Sequence, residues 1–113
     1  MSVYLRGKFT GTFNVINNLQ FWMSTDFSPN TGLAVKFGGS SVSYATPATT
    51  ASGDGAVPTS DPGTANVSIG GALTGSLTNT GYSDYIRLQL QTTVSAAPGD
   101  TSLATFTLQY DES

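Results

Sequence analysis

Apolar and polar residues alternate along most of this chain. The longest example runs from Tyr82 to Tyr110. There Ile86, Leu88, Leu90 and Val94 share one register, and Arg87, Gln89, Gln91 and Thr93 share the other. Further on, Ala104, Phe106, Leu108 and Tyr110 alternate with Thr105, Thr107 and Gln109. Successive side chains leave a pleated strand on opposite sides, so a period of two predicts strands with one buried face. Between the two runs stands Ala97-Pro98-Gly99-Asp100, a composition that reverses the chain. The pattern predicts a hairpin-like pair, with Ile86, Leu88, Leu90, Phe106 and Leu108 at the centre of the core.

Earlier segments follow the same rule. Val3, Leu5, Phe9, Phe13 and Val15 alternate with Tyr4, Arg6, Lys8, Thr10, Thr12 and Asn14, and Gly7 and Gly11 fall on the apolar register. Glycine inside such a pattern marks a bulge or a close approach, so a long strand bent near one of them is expected. Asn17-Asn18 reads as a turn. After it, Leu19, Phe21 and Met23 alternate with Gln20, Trp22 and Ser24. Leu33 to Phe37 predicts a strand ending at Gly38-Gly39, and Val42 with Tyr44 a short one after it. Residues 45–66 are rich in Pro, Gly, Ser and Thr and predict a long surface loop, with Val57 as its apolar anchor and a short strand near Ala56-Val57. Val67-Ser68-Ile69 predicts a brief strand. Leu73 and Leu77, four apart, predict a helical turn between Ala72 and Asn79.

Nothing repeats, and no stretch sustains a helical period. The chain therefore reads as all-β: a single antiparallel β-sandwich over residues 1–113, Ig-like or jelly-roll, with about seven short strands.

Composition narrows the function. The chain has no cysteine and no histidine, which removes thiol chemistry, the usual general base and the commonest metal ligand. Charged residues are 10% of the chain, against about 25% in an average domain. Serine and threonine together supply 31 of the 113 residues, so solubility rests on hydroxyls. Net charge is −3, and only Arg6, Lys8, Lys36 and Arg87 are positive, which argues against a nucleic-acid partner. No apolar run approaches the roughly 20 residues of a membrane span. The N-terminus lacks the pattern of a signal peptide, although the hydroxyl-rich strands suit a surface that works outside cells. A protein made in a host cytoplasm and carried out on a particle meets both conditions.

Candidate sites are few. Asp54 and Asp61 lie in the long loop, and Asp26, Asp84 and Asp100 in other turns. None forms the close run of carboxylates that calcium needs, and aspartate beside glycine or proline is ordinary turn chemistry. No carboxylate pair has the aromatic platform of a glycosidase site, and no serine has a base beside it. No catalytic, metal or cofactor residue is expected. Trp22 and Tyr4 fall on the polar registers of their strands, where an aromatic can stack on a sugar or anchor a protein contact. Tyr82 suits a corner tyrosine bonding the backbone. Asn66-Val67-Ser68 matches a glycosylation acceptor. Arg6 and Lys8 share one face of the first strand, and Asp111 and Glu112 follow the last. These charges either pair within one copy or reach between copies. The second case is expected, with contacts at 2–12 and 110–113 and Tyr4, Arg6, Lys8, Trp22, Tyr110, Asp111 and Glu112 as the interface candidates.

Several segments stand together: Gly81-Tyr82-Ser83-Asp84-Tyr85-Ile86-Arg87-Leu88-Gln89-Leu90, the turn Ala97-Pro98-Gly99, and the ending Phe106-Thr107-Leu108-Gln109-Tyr110-Asp111-Glu112. With Phe21-Trp22-Met23-Ser24, Thr46-Pro47 and Val57-Pro58-Thr59, they resemble small structural proteins encoded among the virion genes of tailed bacteriophages. The resemblance implies a β-sandwich that coats or cements a capsid or forms part of a tail, with the major capsid protein or other virion proteins as partners. It carries over no catalytic residue and no cofactor. Self-association is expected, and neither nucleic acid nor membrane. A filament or tube subunit, and a carbohydrate-binding module using Trp22, Tyr44 or Tyr82, are the alternatives.

Overall fold

The computed structural model describes residues 2–41, 43, 54–93 and 102–113. Those residues form nine strands: β1 (Ser2–Leu5), β2 (Lys8–Phe9), β3 (Ile16–Thr25), β4 (Leu33–Ser41), β5 (Gly55–Ala56), β6 (Ser76–Leu77), β7 (Gly81–Tyr82), β8 (Tyr85–Thr92) and β9 (Thr105–Glu112). The fold is all-β, and every strand pairing is antiparallel. One sheet has the order β1-β8-β4-β5, a second β6-β3-β9, and β2 pairs with β7 in a short ribbon. The two larger sheets pack face to face. Phe21 of β3 lies between Phe37 of β4, at 6.0 Å between ring centroids, and Phe106 of β9, at 5.6 Å.

The expected hairpin is corrected. β8 pairs with β1 and β4, whereas β9 pairs with β3 in the opposite sheet. A long connection permits a crossing between sheets that a two-residue turn would forbid. The turn at 97–100 lies outside the described residues, as do Val42, Tyr44 and Val94. The long first strand is broken, not merely bent. β1 ends at Leu5 and β2 begins at Lys8, so Gly7 lies in the break and the two pieces join different partners.

Asn17-Asn18 is not a turn. It sits inside β3, where the register with β9 shifts between Asn17 and Gln20. Asn18 takes a φ of 54°, the left-handed conformation asparagine tolerates, and makes a bulge. The bulge explains why Ile16 and Leu19, three apart, are both buried. A similar shift between Gly38 and Ser41 carries β4 through the glycines that were expected to end it. The helical turn at 72–79 is replaced by a tight turn bridging Ile69 and Ala72, followed by β6.

The core joins Phe9, Ile16, Leu19, Phe21, Met23, Val35, Ile86 and Leu88 to Val57, Val67 and Ile69 from the connecting segments. Phe106 and Leu108 pack on it partly buried, while Leu90, expected at its centre, is exposed. The expected strand at 67–69 is a buried crossing: Val67 N–H donates to the Leu19 carbonyl and Ser68 N–H to that of Gly39. Asn66 extends the link. Its side-chain oxygen accepts from Phe21 N–H at 2.7 Å and its Nδ2 donates to the Phe21 carbonyl at 2.8 Å. With the amide so engaged, the glycosylation match has a structural role instead.

Aspartates act mostly as turn anchors, as expected. Asp61 accepts from Gly63 N–H, and Asp26 from Phe27 N–H and Asn30 Nδ2. Asp84 is the strongest anchor, accepting from Ser68 Oγ at 2.6 Å, Gly71 N–H at 2.6 Å and Gly70 N–H at 3.1 Å. Hydrogen bonds to a charged group contribute about 1.5–3 kcal/mol, and the buried Ser68 hydroxyl would lose a main partner. Asp84→Ala should therefore cost about 2–3 kcal/mol in denaturant unfolding, and the exposed Asp61→Ala about 0.5. Equal losses would show that the Asp84 cluster does not hold the turn.

Candidate functional site

One side of the sandwich is closed and the other open. On the closed side the segment after β5 stitches the sheets together: Val57 N–H donates to the Val35 carbonyl, Met23 N–H to that of Pro58 and Asn66 N–H to that of Leu19. On the open side lie β1 and β9, each at the end of its sheet and paired on one edge only among the described residues.

Three contacts show how these edges run. Val3 and Phe106 line one cleft, a β-carbon on Gly7 would lie 3.0 Å from Leu108 Cδ2, and Phe9 packs edge-on against Tyr110 at 5.0 Å. Residue numbers rise together, so the β1–β2 ridge and β9 point the same way. The cleft between them is apolar, about 140 Å³ in volume, and is lined by Val3, Phe27, Val35, Leu88, Leu90 and Phe106. Val3 is 50% exposed, Leu5 36%, Leu90 37% and Tyr110 42%. These residues sit on the inward or edge register, with no layer beyond them among the described residues, so apolar side chains lie exposed along strand edges.

Above this opening is a cluster of aromatic and cationic groups. The β2–β7 pairing sets Tyr82 opposite Lys8. The Arg6 guanidinium lies 3.8 Å above the Tyr82 ring and 4.8 Å from the Tyr85 centroid. Tyr4 meets Tyr85 edge-on at 6.5 Å. Such cation–π contacts contribute about 0.5–1 kcal/mol at exposed sites and hold the guanidinium in place. Tyr82 is thus the platform for Arg6, not a corner tyrosine. Ser83 makes the corner instead: its Oγ accepts from Gly7 N–H at 2.8 Å, and its N–H donates to the Gly7 carbonyl at 2.9 Å.

Next to Tyr4, Arg87 donates from Nε and Nη2 to both oxygens of Asp54, at 2.8 and 2.6 Å. The Asp54 carboxylate holds the Arg87 pKa above its ordinary value; burial opposes this and the Tyr4 hydroxyl adds to it. The pairing pins Asp54, the residue before β5, across the sheet, a role that Gly53-Asp54-Gly55 did not reveal.

The interface candidates separate. Tyr4, Arg6 and Lys8 gather at the β1–β2 ridge, and Tyr110, Asp111 and Glu112 at the end of β9 beside it. Arg6 stacks on tyrosines, while Asp111 accepts from Asn18 Nδ2 at 2.9 Å. Trp22 stands apart, half-buried and paired across the ladder with Thr107 on the register opposite Phe21 and Met23. Sequence reasoning missed Leu5 and Leu90 as surface residues because alternation assigns a face without saying where that face ends.

A second hollow, of about 480 Å³, lies between Asn17, Asn18, Gly63, Thr64, Ala65, Leu73 and Thr74. Its lining is uncharged and includes neither Trp22 nor Tyr82. No group of three or more carboxylates placed to hold a metal occurs among the described residues. No family model, curated protein or solved structure matches the chain.

Proposed function

We propose that this chain is a non-enzymatic structural subunit of a virion, most simply a capsid decoration or cement protein bound in many copies. The observation that carries the reading is the open side, where two one-sided strand edges flank exposed Val3, Leu5, Leu90 and Tyr110. An isolated domain gains nothing from leaving that surface uncovered, whereas a subunit covers it on assembly, and burial in the assembly stabilises the folded copy by mass action. The lack of histidine and cysteine, the low charge and the resemblance of its segments to virion proteins of tailed phages point the same way. The partners are then the major capsid protein or other virion proteins and further copies of the chain, not nucleic acid or membrane.

The test is mass spectrometry of purified particles. The protein should copurify at a constant, multiple copy number and be released only when particles are disrupted. Its absence from washed particles would sink the reading. The second reading is a glycan ligand seated in the uncharged, mainly apolar hollow that Asn17, Thr64 and Thr74 help to line. A glycan array on the isolated protein separates the two.

A further inference from the structure

We propose that two copies of this chain pair through their open sides, about a two-fold axis running along the strands, so that the β1–β2 ridge of one copy lies against β9 of the other. The inference rests on the assembly reading above and names its first partner.

The open side is self-complementary in charge. Arg6 and Lys8 are exposed on the ridge, and Asp111 and Glu112 are exposed on β9. These four are more than a third of the charged residues of a chain that has only eleven. They also lie at one height along the strands, since Phe9, next to Lys8, touches Tyr110, next to Asp111. Within a copy, the Arg6 guanidinium rests on Tyr82 and Tyr85, and the Asp111 carboxylate on Asn18. Both groups are therefore held in position but remain exposed to an opposite charge from outside.

Symmetry decides how a second copy fits. An axis along the strands preserves height and exchanges the sheets, so the cations of each copy face the carboxylates of the other, twice. An axis across the strands sets ridge against ridge and β9 against β9, which stacks like charges or leaves them unmatched. Complementary potentials favour the first arrangement and penalise the second. Backbone direction agrees with it. The ridge and β9 run the same way within a copy, so the exchanged edges meet as parallel strands, a pairing that satisfies both rows of free N–H and C=O groups. Each four-stranded sheet then continues into the three-stranded sheet of the other copy, and Val3, Leu5 and Leu90 are covered at the join.

The experiment is a charge exchange read by sedimentation at low salt. One variant carries Arg6→Glu with Lys8→Glu, the other Asp111→Lys with Glu112→Lys. Each alone places like charges at both contacts and should dimerise about tenfold or more weakly than wild type. Mixed, they make a heterodimer with opposite charges at both contacts, and association should return to within about threefold of wild type. Lys8→Glu alone leaves the Arg6–tyrosine stack intact and should still weaken dimers by about threefold, which guards against a loss of folding. Folded variants that associate as wild type does, or a mixture that stays monomeric, would overturn the proposal. So would a wild-type protein that is monomeric at every soluble concentration, or one that grows into open filaments. Particle mass spectrometry is independent: a monomer found in virions defeats the pairing alone, and a charge-exchanging dimer absent from virions defeats the virion reading alone.

Discussion

Gly39→Ala should lower the unfolding free energy by about 3 kcal/mol, while Gly55→Ala should change it by about 0.5 kcal/mol or less. Gly39 is buried in β4 beside the crossing segment, and a β-carbon there would run into the Asn66 carbonyl oxygen and crowd the Val67 Cα. The crossing cannot step aside cheaply. Asn66 is bonded through its N–H to Leu19 and through its side chain to Phe21, and Ser68 N–H donates to Gly39 itself at 2.8 Å. A methyl at Gly39 therefore strains the ladder that closes one side of the sandwich. At Gly55 the same methyl meets nothing within 4 Å. The check is a pair of denaturant titrations with equal slopes and different midpoints. Midpoints that shift together would show that the crossing segment is not seated against β4.

The strand faces were legible because a period of two is local. Leu19, Phe21 and Met23 are buried and Trp22 only half so, as their alternation requires, whereas Gln20, expected on the outward register, is buried as well. Strand partners were not legible. A period of two says which way Phe106 points but not that Met23, rather than a residue of the preceding strand, lies beside it. Asn17-Asn18 misled for a related reason, since a turn and a left-handed bulge select the same residue type. Three of the eleven buried core residues, Val57, Val67 and Ile69, were legible only as a loop anchor and a brief strand, because isolated apolar residues in Gly- and Ser-rich segments do not reveal that they reach the core. The candidate site was half visible. Arg6, Lys8, Asp111 and Glu112 stood out as rare charges, but only the β2–β7 pairing brings Tyr82 under Arg6, and only the Phe9–Tyr110 contact brings the two charge groups to one height.

Leu19→Ala and Ile86→Ala should each cost about 2–5 kcal/mol, and Leu90→Ala about 1 kcal/mol or less, although all three residues stand on inward registers. Leu19 and Ile86 are among the most completely buried side chains, and truncating either removes apolar area and leaves a cavity in a close-packed interior. Leu90 lines the cleft at the open side, so its truncation widens a space that solvent already enters. Monomer stability and self-association should then separate. Leu90→Ala and Val3→Ala leave the denaturant midpoint of the dilute protein nearly unchanged but weaken sedimentation dimers, because the area they lose is area covered only between copies. Core variants do the reverse: they lower the midpoint, and whatever fraction stays folded associates normally. A Leu90→Ala protein as destabilised as Leu19→Ala when monomeric would mean that the cleft is closed within one copy, and the open side would lose its standing as an assembly surface.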